Sequence, residues 1–451
     1  MRRRALAWAV LAALTLGPAR PGVAATLRAG AATGVFSVPD GTPLAGYGGL
    51  RRRLLFPDVL DRYPHAFWFK PHAGAHDPVG ARALVLETES ARLAWVTVDL
   101  VAVDRAFTRA VERRLAEVGV RPATVIVSAS HTHSGPGAFV ESRLMGWLAA
   151  DSFDADVRRG LVDTVVAAVR KADAAAVEAR VAAASVSVPG VTASRLARPL
   201  DPELVTLKVT SAAGAPLALV WNFAIHGTVL GARNLALSGD VMGAASRGLE
   251  RELGVPVLFV NGAVGDVSPA THGDAALPRL AAELARAARG AWERAGAGES
   301  AALVVRRARV PLPPPRLRLR NCVGRFMPRF VAVPLGRALP AETEVTAVAL
   351  GGAAWVTVPG ELQTALGLEV KRAARPLFAH VFIAGVSNDY LGYFVTAEDY
   401  ERPAYVTCAT LYGPRTGACL ARTAADLLGE LGGRRRPAQT PAPCEGSPNA
   451  R

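Results

Sequence analysis

Lysine is scarce in this chain: only four of its 52 lysine and arginine residues are lysine. The formal net charge is +14, yet the arginines are scattered, with short runs at residues 51–53 and 434–436. Nucleic-acid binding needs clustered basic residues, interleaved with aromatic residues where single strands are bound. The composition therefore argues against a nucleic-acid partner, and it leaves peripheral contact with an anionic membrane surface as an expectation.

Several common catalytic signatures are absent. No GxSxG motif occurs, which argues against an α/β-hydrolase triad, and no HExxH motif occurs, which excludes an ordinary zincin. Neither a Walker A motif nor a convincing GxGxxG after a strand is present, so phosphate-binding loops of those two types are not expected. Any catalytic chemistry must therefore come from another arrangement of residues.

No segment reads as a confident membrane span, because the apolar run at residues 5–16 is too short for one. That run follows three arginines at positions 2–4 and precedes small residues around Ala25. A basic start, a short apolar stretch and a small-residue site are typical of a secretory signal peptide. We expect residues 1–25 to be removed near Ala25, which would make the mature protein secreted or periplasmic.

Cysteine is also rare: the four cysteines of the chain are at positions 322, 408, 419 and 444. An exported protein can form disulfides. Cys408 and Cys419 flank a loop-like stretch with glycine and proline, so we predict that they pair, with free buried thiols as the alternative. The spacings do not fit a CxxC metal site.

The rest of the composition is that of a globular protein, 51% hydrophobic and 20% charged. Apolar, strand-like runs alternate with helical patterns at residues 106–119, 155–175, 243–254 and 277–296. This alternation predicts an α/β fold with a mixed, partly parallel β-sheet core flanked by helices. We expect one catalytic domain over residues 26–431 and a disordered tail over residues 432–451.

Reactive side chains follow five of the predicted strands, at the point where each strand ends. In α/β proteins functional sites gather at the C-terminal ends of strands. A mononuclear catalytic zinc needs three or four nitrogen or oxygen ligands and one open position. The residues at these five ends are His131, His133, His226, Asp266, Ser268, Glu361 and Tyr390.

Each of these residues also has a structural interpretation. His226 could be a core or capping residue, Ser268 a turn residue, Glu361 a first-turn helix acid and Tyr390 a buried aromatic. The pair in "SASHTHSGPG" is more specific, because residues two apart on a strand end share a face and can address one centre. Local patterns alone do not decide between these interpretations.

Several motifs in order resemble the neutral/alkaline ceramidase family, in its N-terminal catalytic domain, across residues 33–430. They are "GVFSVPDGTPLAGYGG", "SASHTHSGPG", "NFAIHGT" with "LSGD", "NGAVGDVSPA", "VPGE" and "GVSNDYLGYFVTAEDYE" with "LYGP". The chain departs from the family at Ala270, where an asparagine is typical, and at residues 403–405, where "PAY" stands in place of "RYE". We expect no counterpart of the family's further C-terminal β-sandwich domain in the residues after Leu431.

The resemblance implies one Zn²⁺ per chain, held by His131, His226, Glu361 and Tyr390. It further implies that His133 lies beside the metal and hydrogen-bonds the reacting groups. The implied reaction is hydrolysis of the N-acyl amide bond of ceramide or a related N-acyl lipid, giving a fatty acid and a sphingoid base or amine. The alternatives are a zinc hydrolase of the same fold acting on another amide or ester, and a non-catalytic secreted binding protein.

The resemblance also implies three residues on the substrate side. Ser268 would be the catalytic serine, and Arg195 would face the substrate, with Arg198 as a competing candidate for that position. Tyr400 would be a second tyrosine contacting the substrate. Attack by a zinc-activated water and attack by Ser268 through an acyl intermediate both remain open.

Overall fold

The computed structural model describes residues 26–434 and Cys444. The predicted signal peptide, and the predicted tail apart from residues 432–434 and Cys444, lie outside the described residues. The strands are β1 (Arg28–Val35), β2 (Gly80–Glu87), β3 (Arg92–Val98), β4 (Thr124–Ala129), β5 (Val177–Ser187), β6 (Thr192–Ser194), β7 (Glu203–Ser211), β8 (Pro216–Phe223), β9 (Val257–Asn261), β10 (Val267–Pro269), β11 (Leu303–Pro311), β12 (Arg316–Arg318), β13 (Ala332–Pro334), β14 (Glu342–Leu350), β15 (Ala353–Thr357), β16 (Glu361–Leu362), β17 (His380–Ala384) and β18 (Tyr393–Phe394).

The predicted helical patterns fall on four of the longer helices, with ends that differ by at most three residues. The helices are α1 (Arg105–Glu117), α2 (Arg143–Met145), α3 (Ala155–Ala174), α4 (Asp240–Leu253), α5 (Ala276–Arg294), α6 (Leu319–Val323), α7 (Thr364–Ala374), α8 (Ala397–Tyr400), α9 (Tyr405–Cys408) and α10 (Thr416–Leu431). Side-chain caps set two of the starts, since Asp104 accepts from Phe107 N–H and Asp154 from Val157 N–H.

Two sheets form the centre of the molecule. The larger has the order β4-β3-β2-β1-β5-β7-β8-β9, with parallel pairs β3–β4 and β8–β9 and antiparallel pairs elsewhere. The smaller has the order β11-β14-β15-β17, with β15 and β17 parallel. The predicted mixed α/β fold is confirmed. The second sheet was not foreseen, because local patterns indicate strands without specifying which strands pair.

The two sheets pack face to face through aromatic side chains. Trp95 of β3 stacks on Trp355 of β15 with ring centroids 4.7 Å apart, and Phe382 of β17 stacks on Trp355 at 5.6 Å. Helices cover the outer faces: α1 and α3 on β1 to β4, α4 and α5 on β5, β7 and β9, and α7 and α10 on the smaller sheet. Strands β2, β3, β4, β8, β9 and β15 are therefore buried on both faces, which explains their nearly continuous apolar sequences.

The ends of five strands meet at one edge of this sandwich. Strands β4 and β9 are the two edges of the eight-stranded sheet, and yet they contact each other. Backbone hydrogen bonds tie the segments beyond the strands together, from His133 N to Gly227 O at 2.9 Å and from Gly385 N to Asn261 O at 2.8 Å. The curvature of the large sheet thus brings distant parts of the chain to one place.

The predicted pairing of Cys408 with Cys419 is wrong. Cys322 of α6 bonds to Cys408 at the end of α9, and Cys419 in the first turns of α10 bonds to Cys444. Helix α10 carries Cys419 into the apolar core beside the smaller sheet, away from α6 and α9. None of the described helices is long and apolar enough to span a bilayer.

Asn222 of β8 provides a specific polar link between the sheets. Its buried Nδ2 donates to Val260 O of β9 at 2.9 Å and to Ile383 O of β17 at 2.8 Å. Asn222→Ala would leave two buried carbonyls without this donor, so we expect the free energy of unfolding to fall by about 2–4 kcal/mol in urea titrations. Asn234→Ala, which removes an amide from a half-buried loop, is the control. Equal losses in both variants would contradict this role.

Candidate metal centre and active site

His131 occupies a constrained position just beyond β4. Its backbone has a positive φ of 68°, a conformation that is uncommon outside glycine and is often found at functional sites. Its Nδ1 lies 2.6 Å from the carbonyl oxygen of Val101. A neutral imidazole carries one N–H, and this carbonyl accepts it, so Nε2 presents a lone pair to the protein interior.

Four side chains converge on the point that His131 Nε2 faces. His131 Nε2 lies 3.1 Å from His226 Nε2 and 3.3 Å from Glu361 Oε1, and His226 Nε2 lies 3.0 Å from Glu361 Oε2. The Tyr390 hydroxyl donates to Glu361 Oε1 at 2.6 Å. The two histidines and the glutamate are at most 1% exposed. The structure thus brings together the four residues for which the sequence predicted a shared metal.

Burial controls the protonation of this cluster. It lowers the pKa of His226 to about 3, with help from the nearby positive charge of Arg195. Burial alone would raise the pKa of Glu361, but the adjacent histidines hold that pKa well below its ordinary value. Burial and the charge of Glu361 raise the pKa of Tyr390 well above 10. Near neutral pH His226 is therefore a neutral imidazole, Glu361 a carboxylate and Tyr390 a phenol.

These groups fit a metal ion. Two imidazole lone pairs and a carboxylate facing one point repel each other unless a cation lies between them. Ligand atoms about 2.0–2.1 Å from a tetrahedral ion lie about 3.3 Å apart, and the spacings here are 3.1, 3.3 and 3.0 Å. The ring nitrogens of His131, His133 and His226 also lie within 4.8 Å of one another. This buried histidine group can bind a metal ion.

His133 lies beside the cluster, and neither of its ring nitrogens has a hydrogen-bond partner among the described residues. Its ring packs 4.8 Å from that of Tyr47, and its carbonyl accepts from Arg52 Nη2 at 3.2 Å. Burial and the neighbouring histidines lower the pKa of His133 well below 6.5. Tyr47 and Arg52 were not among the predicted site residues. Tyr47 nevertheless lies in "GYGG", the end of one of the recognised motifs.

Arg195 connects the histidine cluster to Ser268. It follows β6, which pairs with β10, the strand that carries Ser268. Its Nε donates to Ser268 Oγ at 2.7 Å, its Nη1 lies 3.2 Å from His226 Nε2, and Nη1 also donates to the Tyr393 hydroxyl at 3.4 Å. Arg198 instead pairs with Asp399 and Glu398. Of the two arginine candidates, Arg195 is the one at the site.

The structure does not bring Tyr400 to this cluster. Its buried ring packs with Val406 and Leu196, and Arg318 lies over it with Cζ 5.2 Å from the ring centroid. Tyr393 lies near the cluster instead, and burial together with the charge of Glu361 raises its pKa well above 10. Tyr393 follows Tyr390 by three residues in the same recognised segment, so that segment contained the tyrosine near the cluster, although only Tyr400 was predicted to contact the substrate.

A cavity of about 1280 Å³ opens onto the cluster. His131, His133, Glu361, Tyr390 and Tyr393 line part of it. Much of the remaining wall is apolar, with Val101, Val140, Leu144, Met145, Leu317, Leu335, Leu339 and Leu411. The volume exceeds the range of about 300–1,000 Å³ that is usual for small-molecule pockets. The arrangement suits a large ligand with a polar reacting group and apolar extensions.

Comparisons with known proteins agree on one relationship. Residues 69–282 match the family described as "Neutral/alkaline non-lysosomal ceramidase, N-terminal". Neutral ceramidase B of Dictyostelium discoideum is 33% identical over 84 residues, which are 17% of this chain and 12% of that protein. Neutral ceramidase of Pseudomonas aeruginosa is 23% identical over 450 residues, covering 79% of this chain and 67% of that protein.

A solved structure extends the similarity to the fold. The crystal structure of neutral ceramidase from Pseudomonas aeruginosa superimposes with a TM-score of 0.78 and 21% identity, covering 93% of this chain and 76% of that one. At this identity the likeness concerns the fold. The chain spans only about an eighth of the Dictyostelium protein's length in the matched region.

The donor cluster predicts metal binding that depends on buried histidine. We expect the purified protein to retain about one transition-metal ion per chain, measured by inductively coupled plasma mass spectrometry. His226→Ala removes a lone pair from the centre and should lower metal affinity by about tenfold or more. His272→Ala, which changes an exposed histidine, is the matched control. Equal metal content in both variants would exclude this centre.

Proposed function

We propose, because residues 69–282 match the neutral/alkaline non-lysosomal ceramidase family, that the protein is a zinc-dependent amidohydrolase acting on ceramide or a related N-acyl lipid. The products would be a fatty acid and a sphingoid base or amine. One observation carries the proposal: two imidazoles, a carboxylate and a phenol converge in a buried cluster at an apolar cavity.

Zinc suits this donor set, because imidazole nitrogen and carboxylate oxygen are its usual protein ligands and a catalytic site keeps one position open. His131, His226, Glu361 and Tyr390 would hold the ion, at one ion per chain. When bound, it would supply Lewis-acid activation of the amide carbonyl and of water. The contact from His131 Nδ1 to Val101 O supports this assignment, because it aims Nε2 at the centre.

His133 is the candidate for proton transfer. Its ring nitrogens have no hydrogen-bond partner among the described residues, and its lowered pKa keeps it neutral before reaction. A neutral imidazole at the cavity wall can accept a proton from the attacking hydroxyl group and return it to the leaving amine. The anchored carbonyl of His133 restrains the position from which it does so.

Arg195 and Tyr393 are the candidates for stabilising negative charge on the amide oxygen. Both carry N–H or O–H donors beside the cluster, and Arg195 bridges His226, Tyr393 and Ser268. Preorganised donors aimed at a developing oxyanion supply a large share of the catalysis in acyl transfer. Ser268 would contact the same reacting group, as a nucleophile or as a binding residue for the carbonyl.

We also propose that the protein acts outside the cytoplasm. The signal-like sequence at residues 1–25 supports this, and so do two disulfides among the described residues, since such bonds persist in oxidising compartments. The N-terminus of the mature protein, determined by mass spectrometry after expression, should begin close to Thr26.

Ser268→Ala tests the assigned chemistry directly. We expect hydrolysis of a fluorescent-acyl ceramide, lost on chelation and restored by zinc, to fall by about 10²-fold or more in kcat in this variant. Ser90→Ala, at an exposed position between β2 and β3, is the matched control and should keep full activity. Metal-dependent cleavage of shorter N-acyl amides or esters, without ceramide cleavage, would instead favour the alternative substrate class.

The same preparation distinguishes the two routes of attack. A covalent acyl adduct on Ser268, detected by mass spectrometry of rapidly quenched enzyme, would establish the serine route. Both routes place one oxygen of water in the released acid, so the adduct is what separates them, and its absence in enzyme quenched during a single turnover would favour direct attack by water.

Tyr393→Phe and Tyr400→Phe separate the two tyrosine candidates. Removing the Tyr393 hydroxyl takes away a donor beside Arg195 and Glu361, so we expect kcat to fall by about tenfold to a hundredfold. Tyr400→Phe should leave kcat unchanged, because that ring packs with Val406, Leu196 and Arg318 and contacts no residue of the metal cluster. The reverse pattern in steady-state kinetics would restore Tyr400 as the substrate-contacting residue.

A further inference from the structure

We propose that the rim of the cavity is a docking surface for an anionic phospholipid bilayer, from which the substrate enters. This inference rests on the proposed function, because a docked membrane would supply the lipid substrate. The residues that support it lie outside the histidine cluster. The surface consists of four segments: residues 50–60, residues 147–153, the 316–334 lobe formed by β12, α6 and β13, and Tyr405.

Exposed apolar side chains are concentrated in these segments. Fifteen large apolar residues are exposed among the described residues, and thirteen of them fall in these four segments. The thirteen are Leu50, Leu55, Phe56, Val59, Leu60, Trp147, Leu148, Phe153, Val323, Phe326, Phe330, Val333 and Tyr405. Scattered single exposures need no explanation, but clustering of this kind marks an interaction surface.

Every segment is also part of the cavity wall. Arg53 comes from the first segment, Trp147 and Leu148 from the second, Cys322 from the lobe, and Tyr405 is itself a lining residue. Of the thirteen exposed apolar residues, Trp147, Leu148 and Tyr405 line the cavity that leads to the histidine cluster, and the others lie in segments that contribute to its wall. A ligand that leaves a membrane through this opening would pass directly from one apolar environment into another.

The 316–334 lobe is anchored on its inner side and carries aromatic residues on its outer side. The Cys322–Cys408 disulfide ties it to α9, and Asn321 Nδ2 donates to Tyr400 O at 3.0 Å and to Thr407 O at 3.2 Å. Phe326 and Phe330, in the turn between α6 and β13, are 80% and 87% exposed. Because these contacts hold the inner side of the lobe in place, the two rings keep a fixed position on the surface. From that position they can insert at a membrane interface.

The lobe and the three residues that follow it are positively charged, which favours an anionic partner. Residues 316–337 contain six arginines and no acidic residue. Arg318 and Arg329 share Glu401, whereas Arg325 and Arg337 form no ion pair with the described residues. Basic residues beside exposed aromatic rings are attracted to anionic lipid headgroups while the rings enter the acyl boundary. Opposite charge thus favours an anionic bilayer over a neutral one.

Vesicle flotation with the full chain tests this surface. We expect the protein to float with vesicles of phosphatidylcholine mixed with phosphatidylglycerol, and to float much less with phosphatidylcholine alone or at high salt. The double variant Phe326→Ser/Phe330→Ser should reduce binding by about tenfold. Arg325→Glu should reduce binding to the anionic vesicles several-fold. The matched controls are Val35→Ser/Val177→Ser, two exposed apolar residues outside the surface, and Arg286→Glu on α5.

Two further readouts keep this proposal separate from the catalytic one. The phenylalanine double variant should keep its activity on a micellar short-chain substrate and lose activity on substrate embedded in vesicles. Failure to bind any vesicle, or equal binding by the variant, would overturn the docking surface even if hydrolysis is intact. Concentration-dependent dimers in analytical ultracentrifugation that the double variant abolishes, without vesicle binding, would assign the surface to a second copy. Vesicle binding without any hydrolysis would uphold the docking surface and reject the proposed activity.

Discussion

The close approach of the buried His131 Nε2 and His226 Nε2, at 3.1 Å, is the constraint on which the site depends. The carbonyl of Val101 contacts His131 Nδ1, so Nε2 is the nitrogen that faces His226 and Glu361. Arg195 Nη1, 3.2 Å from His226 Nε2, brings one positive charge to this group, and the converging donors can bind a metal ion. The contact between β4 and β9 makes this arrangement possible.

The segments at the strand ends position the reactive side chains and also form the cavity through which a ligand would reach them. The segments that leave the sheets carry the histidines, the carboxylate and the tyrosine inward, and neighbouring segments form the cavity and its exposed rim. Arg195 links the histidine cluster to Ser268, because it contacts both His226 and Ser268. Loops held by a rigid double-sheet core can position functional groups while their outer surfaces remain free to meet a partner.

Much of the fold and of the candidate site could be predicted from local sequence. The helical patterns matched real helices, and the reactive residues after five strands proved to be neighbours, because parallel strands present their ends at a common edge. The disulfide prediction failed because Cys408 and Cys419 lie on different helices that face different parts of the core. The choice of Tyr400 over Tyr393 found no support, because spacing along a segment does not show which ring points into the cavity.

The sequence by itself determined the alternation of strands and helices, the approximate bounds of four helices and which reactive residues follow the strands. These follow from short-range properties: side-chain periodicity, capping and the chemistry of individual residues. Only the tertiary structure decided that two large sheets pack on each other, that Arg195 and not Arg198 reaches Ser268, and that the segments rich in exposed apolar residues contribute to one cavity wall. Those outcomes depend on contacts between residues far apart in the chain, which packing and sheet curvature select and which no local pattern encodes.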